Sequence, residues 1–106
     1  MSATLEAIRE LIQQEKLRVS DHAYDELLND ALLASEVIAG IDQAIVVEDY
    51  PLYAKGPCVL VLQRDAAGLP IHALWGIPAG AAEPAVLITV YRPDPTRWDA
   101  NFLRRR

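Results

Sequence analysis

The chain has 106 residues, a net charge of −5 and an apolar fraction of 52 %. This size and composition predict one globular domain over residues 1–106 and exclude an intrinsically disordered chain. No apolar run approaches the roughly twenty residues that span a bilayer, and the start of the chain lacks the basic and apolar segments of a signal peptide. Cys58 is the single cysteine, so no internal disulfide can form, and the sequence predicts a cytoplasmic protein.

The charge is unevenly distributed along the chain. Residues 1–50 carry eleven acidic and three basic side chains, residues 51–91 are balanced, and residues 92–106 carry five arginines and two aspartates. An acidic surface repels a phosphate backbone. Any nucleic-acid site is therefore expected on the second half of the chain, and a basic partner on the first.

Three helices are predicted in the first half. Apolar residues recur at helical spacing over about residues 3–16, which predicts the first helix. Ser20 is the expected N-cap of a second helix that begins at Asp21, and Ser35 is the expected N-cap of a short third helix. We interpret residues 1–17 as an N-terminal helical extension and residues 18–98 as the core of the domain.

Four strands are predicted where the helical period ends and Pro and Gly begin to separate short apolar runs. The second and fourth strands are apolar on both faces, so we place them inside the sheet. A short loop joins the second and third strands, as in a hairpin. The predicted fold class is α+β, with the helices packed on a four-stranded, largely antiparallel sheet. The strands are expected over 44–50, 57–65, 71–77 and 85–91.

The C-terminal end is predicted to start extended, because Pro93 and Pro95 disfavour helix in the residues before them. Trp98 and Phe102 lie four residues apart, which predicts a last helical turn anchored on the core. We interpret residues 99–106 as a basic, solvated tail.

His22 lies in the predicted first turn of the second helix. The positive end of a helix favours the neutral imidazole, and a neutral imidazole can act as a general base. Glu26 follows four residues later on the same helix face and is placed to orient the ring. The alternative is that His22 only packs its ring over the strands and forms a local hydrogen bond.

His72 is the second histidine and lies in the third predicted strand. It alternates with Trp75 and its apolar companions, so we expect it on the other face of the sheet, near Gln63 across the hairpin. A cross-strand hydrogen bond without any chemistry is an equally open interpretation.

Tyr91 and Arg92 end the fourth predicted strand. The phenol is a possible proton donor, and the guanidinium is suited to hold a phosphate. Only one of the two can share a sheet face with His72. The alternatives are an edge aromatic and a solvated strand end. Lys55 lies in a loop and is most simply a surface lysine.

Four side chains are candidate metal ligands. His22, Glu26 and His72 would make a two-histidine, one-carboxylate set, and Cys58 is a further possible ligand. No paired ligand motif such as C-x-x-C or H-E-x-x-H is present. The sequence therefore predicts no metal and no cofactor.

Three spaced pieces of the sequence resemble the bacterial domain-of-unknown-function family 4258. They are "VSDHAYDEL", "PIHALWGI" and "LITVYRPDPTRW". The family pattern of x-His-Ala, a later Leu/Ile-His strand and a closing Thr-x-Tyr-x-Pro…Trp matches His22-Ala23, Ile71-His72 and the segment from Thr89 to Trp98.

The family is similar to BrnT-like and RelE-like toxins of bacterial toxin–antitoxin pairs. That resemblance implies a small curved antiparallel sheet under helices, a cognate antitoxin as partner, and RNA cleavage through the substrate's own 2′-OH without a metal. In such a reaction His22 or His72 would be the base, and the other histidine or Tyr91 the acid. The substrate-binding residues would be Arg92, Lys55 and Gln63, with Glu26 in an orienting role.

Two other functions stay open. One is a non-catalytic protein-interaction module of the same fold, whose histidines only hold helix to sheet; the other is a metal-dependent hydrolase. Relatives commonly carry an arginine shortly after the His-Ala pair, where this chain has Asp25 and Glu26. The apolar strands also leave a homodimer open.

Overall fold

The computed structural model describes residues 2–106 as three α-helices and one five-stranded sheet. The α+β class is therefore confirmed. None of the described helices has the length and apolar character needed to span a membrane. The helices are α1 (Ala3–Gln13), α2 (Asp21–Asn29) and α3 (Ala34–Ala39), followed by a 3-10 helix, Gly40–Gln43. The strands are β1 (Leu17–Val19), β2 (Ile45–Tyr50), β3 (Cys58–Arg64), β4 (Pro70–Gly76) and β5 (Ala85–Tyr91).

The strand order is β1-β5-β4-β3-β2, and the sheet is mixed. The four strands predicted from the sequence are β2 to β5, each antiparallel to its neighbour, and the predicted hairpin joins β3 to β4. The predicted number of four strands is wrong, because β1 pairs in parallel with β5. With three residues, "LRV", β1 is too short to show an alternating pattern in the sequence.

The end of α1 explains how β1 arises. The helix stops at Gln13 and not near residue 16, because Glu15 takes a left-handed φ of 61° and turns the chain back. The chain then runs beside β5, where the amide of Ala85 donates to the carbonyl of Lys16 at 3.0 Å. A sequence pattern that only counts apolar spacing does not detect this reversal.

The core lies between the helices and one face of the sheet. The strands present alternate residues to this face, as the pleat requires. Gln63 is the polar exception, and its amide nitrogen donates to the carbonyl of Val37 at 2.7 Å. The central residues of this core are Leu5, Ile8, Leu11, Ala23, Leu27, Val37, Val59, Val61, Ile71, Ala73, Trp75 and Leu87.

The C-terminal end differs from the prediction. Trp98 is buried, as an anchor should be, but no helical turn follows it. Instead, Asp99 accepts hydrogen bonds from the amides of Asn101 and Leu103, and Phe102 takes a left-handed φ of 59°. A bridge between Trp98 and Arg105 closes this turn. The segment therefore doubles back over the sheet, because the aspartate side chain competes with helical hydrogen bonding.

We predict that the two serines expected to cap helices differ in their effect on stability. The Ser20 hydroxyl accepts from the amide of Ala23 at 3.0 Å and donates to the carbonyl of Ile88 at 2.9 Å. The predicted cap at Ser35 is wrong, since α3 begins after Leu33 without a side-chain cap. Chemical denaturation should show that Ser20→Ala lowers the free energy of unfolding by about 1–2 kcal/mol, while the control Ser35→Ala changes it by less than about 0.5 kcal/mol. Equal losses would contradict the assigned caps.

Candidate functional site

His72 lies on the sheet face that points away from the helices. In the antiparallel ladder it stands opposite Leu62 on β3 and Tyr91 on β5. The sequence pattern predicts this face correctly. The ring is nevertheless 0 % exposed, because the C-terminal segment crosses over it and the Trp98 ring packs edge-on against it, with the ring centroids 4.5 Å apart.

Both ring nitrogens of His72 take part in hydrogen bonds. Nε2 lies 2.7 Å from the carbonyl oxygen of Phe102, and Nδ1 lies 3.1 Å from the hydroxyl of Tyr91. A carbonyl only accepts, so Nε2 carries the proton and donates it to Phe102. Nδ1 is then the acceptor for the Tyr91 hydroxyl. The single lone pair of the neutral ring is therefore occupied.

Trp98 is also contacted by an ion pair. The guanidinium of Arg105 lies 4.7 Å from the centroid of the Trp98 ring and donates to both carboxylate oxygens of Glu48, at 2.8 and 3.1 Å. The Arg105 hydrogen bond holds the pKa of Glu48 below its usual value. We call the set His72, Tyr91, Trp98, Arg105 and Glu48 the C-terminal clamp, since it fastens the end of the chain to β2, β4 and β5.

Burial keeps two side chains of the clamp, His72 and Tyr91, in their neutral forms. It lowers the pKa of His72 below the ordinary value of 6.5, although the hydrogen bond to Phe102 and the nearby Glu48 carboxylate oppose this. Burial also raises the pKa of Tyr91 above 10.0. Both groups are therefore neutral at pH 7, as the assigned hydrogen bonds require.

A small cationic hollow of about 230 Å³ opens beside the clamp. Three arginines reach it, but each has a carboxylate partner. Arg92 pairs with Asp65 at 2.8 Å, and Arg105 pairs with Glu48. Arg97 lies 4.0 Å from an oxygen of Asp94. The residues that line the hollow are Tyr91, Arg92, Asp94, Arg97, Trp98 and Arg105.

His22 stands apart from the clamp. Its side chain is 70 % exposed on α2, and Nε2 lies 3.3 Å from a carboxylate oxygen of Glu26. Among residues 2–106 no hydrogen bond or ring contact joins His22 to His72. The proximity of His22 and Glu26 is the one expected from their spacing on a helix.

Glu26 chiefly binds the sheet. The same oxygen that lies near His22 accepts from the amide of Val90 at 3.0 Å and from the hydroxyl of Thr89. Since β1 ends at Val19, this edge of β5 has no strand partner beyond that point. The Glu26 carboxylate replaces the missing strand as acceptor and ties α2 to β5.

The other predicted substrate-binding residues lie elsewhere. Gln63 pairs with Ile71 and faces the helices, where its amide oxygen accepts from the indole of Trp75 at 3.0 Å. Our expectation that it lies beside His72 is wrong, because neighbouring residues of a strand point to opposite faces. Lys55 is exposed in the loop between β2 and β3, beside a separate groove.

No group of three or more His, Cys, Asp or Glu side chains is arranged to hold a metal ion within residues 2–106. Cys58 is buried on β3, and burial raises the pKa of its thiol. A raised pKa disfavours the thiolate, which is the form that binds metals and acts as a nucleophile.

Sequence reasoning missed two of the five residues of the clamp, Arg105 and Glu48, and the carbonyl that His72 binds. Arg105 falls in the tail that we expected to be solvated, and Glu48 carries no motif. The carbonyl of Phe102 has no side-chain signal at all. Only the pair of large apolar residues Trp98 and Phe102 pointed to a segment that returns to the core.

A comparison with protein-family models finds a match for the chain. Residues 19–92 match the family described as "Domain of unknown function (DUF4258)". The chain belongs to this family. No curated protein and no solved structure matches it. The DUF4258 region contains both histidines, Glu26, Glu48 and Tyr91, while Trp98 and Arg105 of the clamp follow it.

We predict that stability falls in mildly acidic solution because of His72. Its pKa is lower in the folded chain than in the unfolded chain, so the unfolded state binds more protons and protonation favours unfolding. The stability that depends on neutral His72 should be fully present above about pH 6.5. Below that pH the free energy of unfolding should decrease, by at most about 1.4 kcal/mol per pH unit.

Urea denaturation between about pH 7.5 and pH 5.5 would measure this slope, above the range in which carboxylates titrate. His72→Gln should remove most of it. His22→Gln, at an exposed ring, is the control and should retain it. An unchanged slope in His72→Gln would assign the effect to other groups.

Proposed function

We propose that this chain is a non-catalytic protein-interaction module, in which His72 serves the fold. The single observation that supports this is the state of His72, which is fully buried with both ring nitrogens hydrogen-bonded. A general base must approach the proton it removes to within about 3 Å, or reach it through one water. A substrate hydroxyl cannot approach Nδ1 while the Tyr91 hydroxyl occupies it and the C-terminal segment covers the ring.

The proposed interaction surface is the outer face of α2. Ala23 and Leu27 face the core, and the neighbouring stripe, about 100° around the helix, presents Tyr24 and Leu28, which are 52 % and 79 % exposed. Two large apolar side chains four residues apart form the kind of anchor that a partner groove or helix contacts. They are surrounded by acidic residues, namely Asp21, Asp25 and Asp30.

The charge of this surface selects the partner. Residues 1–50 carry eleven acidic and only three basic side chains, so the surface attracts a basic protein and repels nucleic acid. A basic antitoxin would fit this surface, in line with the toxin-like resemblance of the sequence. Binding of a partner at this surface would not require the chain to have a catalytic activity.

The second candidate is a toxin-like, metal-independent endoribonuclease. The observation that favours it is the hollow where Tyr91 meets Arg92, Arg97 and Arg105 on the basic end of the chain. In that function Tyr91 would donate a proton and Arg92 would hold the phosphate, with His22 or His72 as base. The ion pairs of the three arginines with carboxylates weaken this candidate, because they reduce the positive charge available to a phosphate.

We predict that His72→Ala destabilises the fold. Removing a buried ring with two hydrogen bonds should lower the free energy of unfolding by about 2–4 kcal/mol. The control His22→Ala should cost less than about 1 kcal/mol, since its ring is largely exposed. Neither wild-type protein nor variant should cleave single-stranded RNA in the presence of EDTA, as followed by gel electrophoresis. Cleavage by the wild type that disappears in His72→Ala at unchanged thermal stability would establish the endoribonuclease instead.

We predict that Leu28→Lys abolishes partner binding. The substitution places a positive charge in the centre of the acidic surface and removes its most exposed apolar anchor. Leu52→Lys is the matched control, because Leu52 is 94 % exposed on a loop outside α2. In affinity capture from the encoding organism, wild type and Leu52→Lys should retain the same basic protein, and Leu28→Lys should lose it. Retention of that protein by Leu28→Lys would exclude α2 as the surface.

A further inference from the structure

A groove of about 550 Å³ lies on the same sheet face as His72, at the other end of the strands. The C-terminal segment does not cover this part of the face. The floor of the groove is apolar and is formed by β3, β4 and β5, with Cys58, Leu74, Gly76, Val86 and Ile88. Its volume lies within the range of about 300–1,000 Å³ that is typical of small-molecule sites.

Glycine keeps this floor deep. A Cβ atom at Gly76 would lie 2.8 Å from Cδ1 of Ile88 and 3.2 Å from Cβ of Cys58. The hollow therefore depends on the absence of a side chain at position 76, where β4 ends.

The wall of the groove is preformed. It consists of the loop from Tyr53 to Pro57, whose backbone is hydrogen-bonded to the segment after β4. The amide of Ala79 donates to the carbonyl of Lys55 at 3.1 Å, and the amide of Ile77 donates to the carbonyl of Pro57 at 3.0 Å. Gly56, with φ at 119°, approaches the carbonyl of Ile77 so closely that a Cβ would lie 2.0 Å from its oxygen. The loop that carries Lys55 is thus fixed before any ligand arrives.

Aromatic rings extend the apolar surface. Tyr50 and Tyr53 line the groove with partly exposed rings. The Tyr50 hydroxyl donates to Glu48 at 2.6 Å, and Glu48 is itself bound by Arg105. The orientation of the Tyr50 ring is therefore set by the C-terminal clamp, which leaves its face available for an apolar contact.

The charged residues that line the groove are both cations. They are Arg18 from β1 and Lys55 from the loop, and no carboxylate lines the groove. Neither cation forms an ion pair among residues 2–106. In a chain with a net charge of −5, two unpaired cations beside an apolar hollow are complementary to a ligand with an apolar body and an anionic group.

We propose that this groove is a binding site for a small apolar organic anion, such as an acyl or aryl carboxylate. The apolar body would lie over Leu74, Val86 and Ile88, and the carboxylate would be held by Lys55 or Arg18. This site is independent of the outer face of α2 and of any chemistry at His72.

The test uses three probes with similar linear alkyl chains and different head groups, namely decanoate, 1-decanol and decyltrimethylammonium, all below their micelle concentrations. Binding is followed by amide chemical shifts of the full chain in ¹H–¹⁵N spectra. Decanoate should shift the amides of Lys55, Gly76 and Ile88 in a saturable manner. Decanol should bind more weakly, and the cationic probe least. Equal binding of the three, no binding of decanoate, or shifts confined to other parts of the chain would overturn the proposal.

Variants separate charge from apolar contact. Lys55→Gln and Arg18→Gln should each weaken decanoate binding up to about fivefold, the effect of one exposed ion pair, and leave decanol binding unchanged. Arg104→Gln removes the same charge from an exposed side chain outside the groove and is the control. Ile88→Asp places a carboxylate on the partly exposed floor and should abolish decanoate binding at retained thermal stability. Unaltered decanoate binding in both cation variants would overturn the assignment of the anion.

Other occupants give different results. Shifts of the same amides when the protein alone is concentrated would assign the groove to a second copy of the chain. Shifts with a synthetic acidic amphipathic peptide, but not with decanoate, would assign it to a protein partner. Either result would overturn the small-molecule site.

Discussion

The hydrogen bond from Nε2 of His72 to the carbonyl of Phe102 joins the end of the chain to the middle of the sheet. Nε2 donates this bond, and because burial keeps the ring neutral, Nδ1 accepts from the Tyr91 hydroxyl. The chain in turn excludes water from the ring by placing Trp98 over it. The same contacts that hold the C-terminal segment therefore bury His72 away from solvent. In the folded chain the ring donates to that segment and accepts from the neighbouring strand.

β5 is the strand to which α2 is fastened. Its outer edge is paired with β1 for three residues. Beyond them, side chains of the neighbouring segment bind the backbone of this edge. Ser20 donates to the carbonyl of Ile88 and caps α2, and Glu26 accepts from the amide of Val90. An uncovered strand edge is a site of unwanted pairing. Two polar side chains of α2 satisfy this edge and fix the helix on the sheet, which turns the Tyr24 and Leu28 side of the helix outwards.

The second sheet face is divided into two halves by the C-terminal segment. One half is closed by Trp98 and the ion pair between Arg105 and Glu48. The other half is the open groove with Lys55 and Arg18 beside it. Glu48 connects the halves, because it binds Arg105 on one side and the Tyr50 hydroxyl on the other. The DUF4258 match ends at residue 92, so the segment that closes this face follows the region shared with the family.

The sequence by itself determined the elements that depend on local pattern and capping: α1, α2 with its cap at Ser20, the four strands β2 to β5 and the family. It also placed Glu26 beside His22 and put His72 on the face opposite Trp75, because helical and strand periods fix these relations. Only the tertiary structure decided that β1 exists, that Gln63 faces away from His72, and that Arg105 and the carbonyl of Phe102 return to the sheet. These features depend on contacts between residues far apart in the chain, and a backbone carbonyl or a three-residue strand has no signature in the sequence. Whether a histidine is exposed or sealed is a property of what packs over it, which here is a segment thirty residues away.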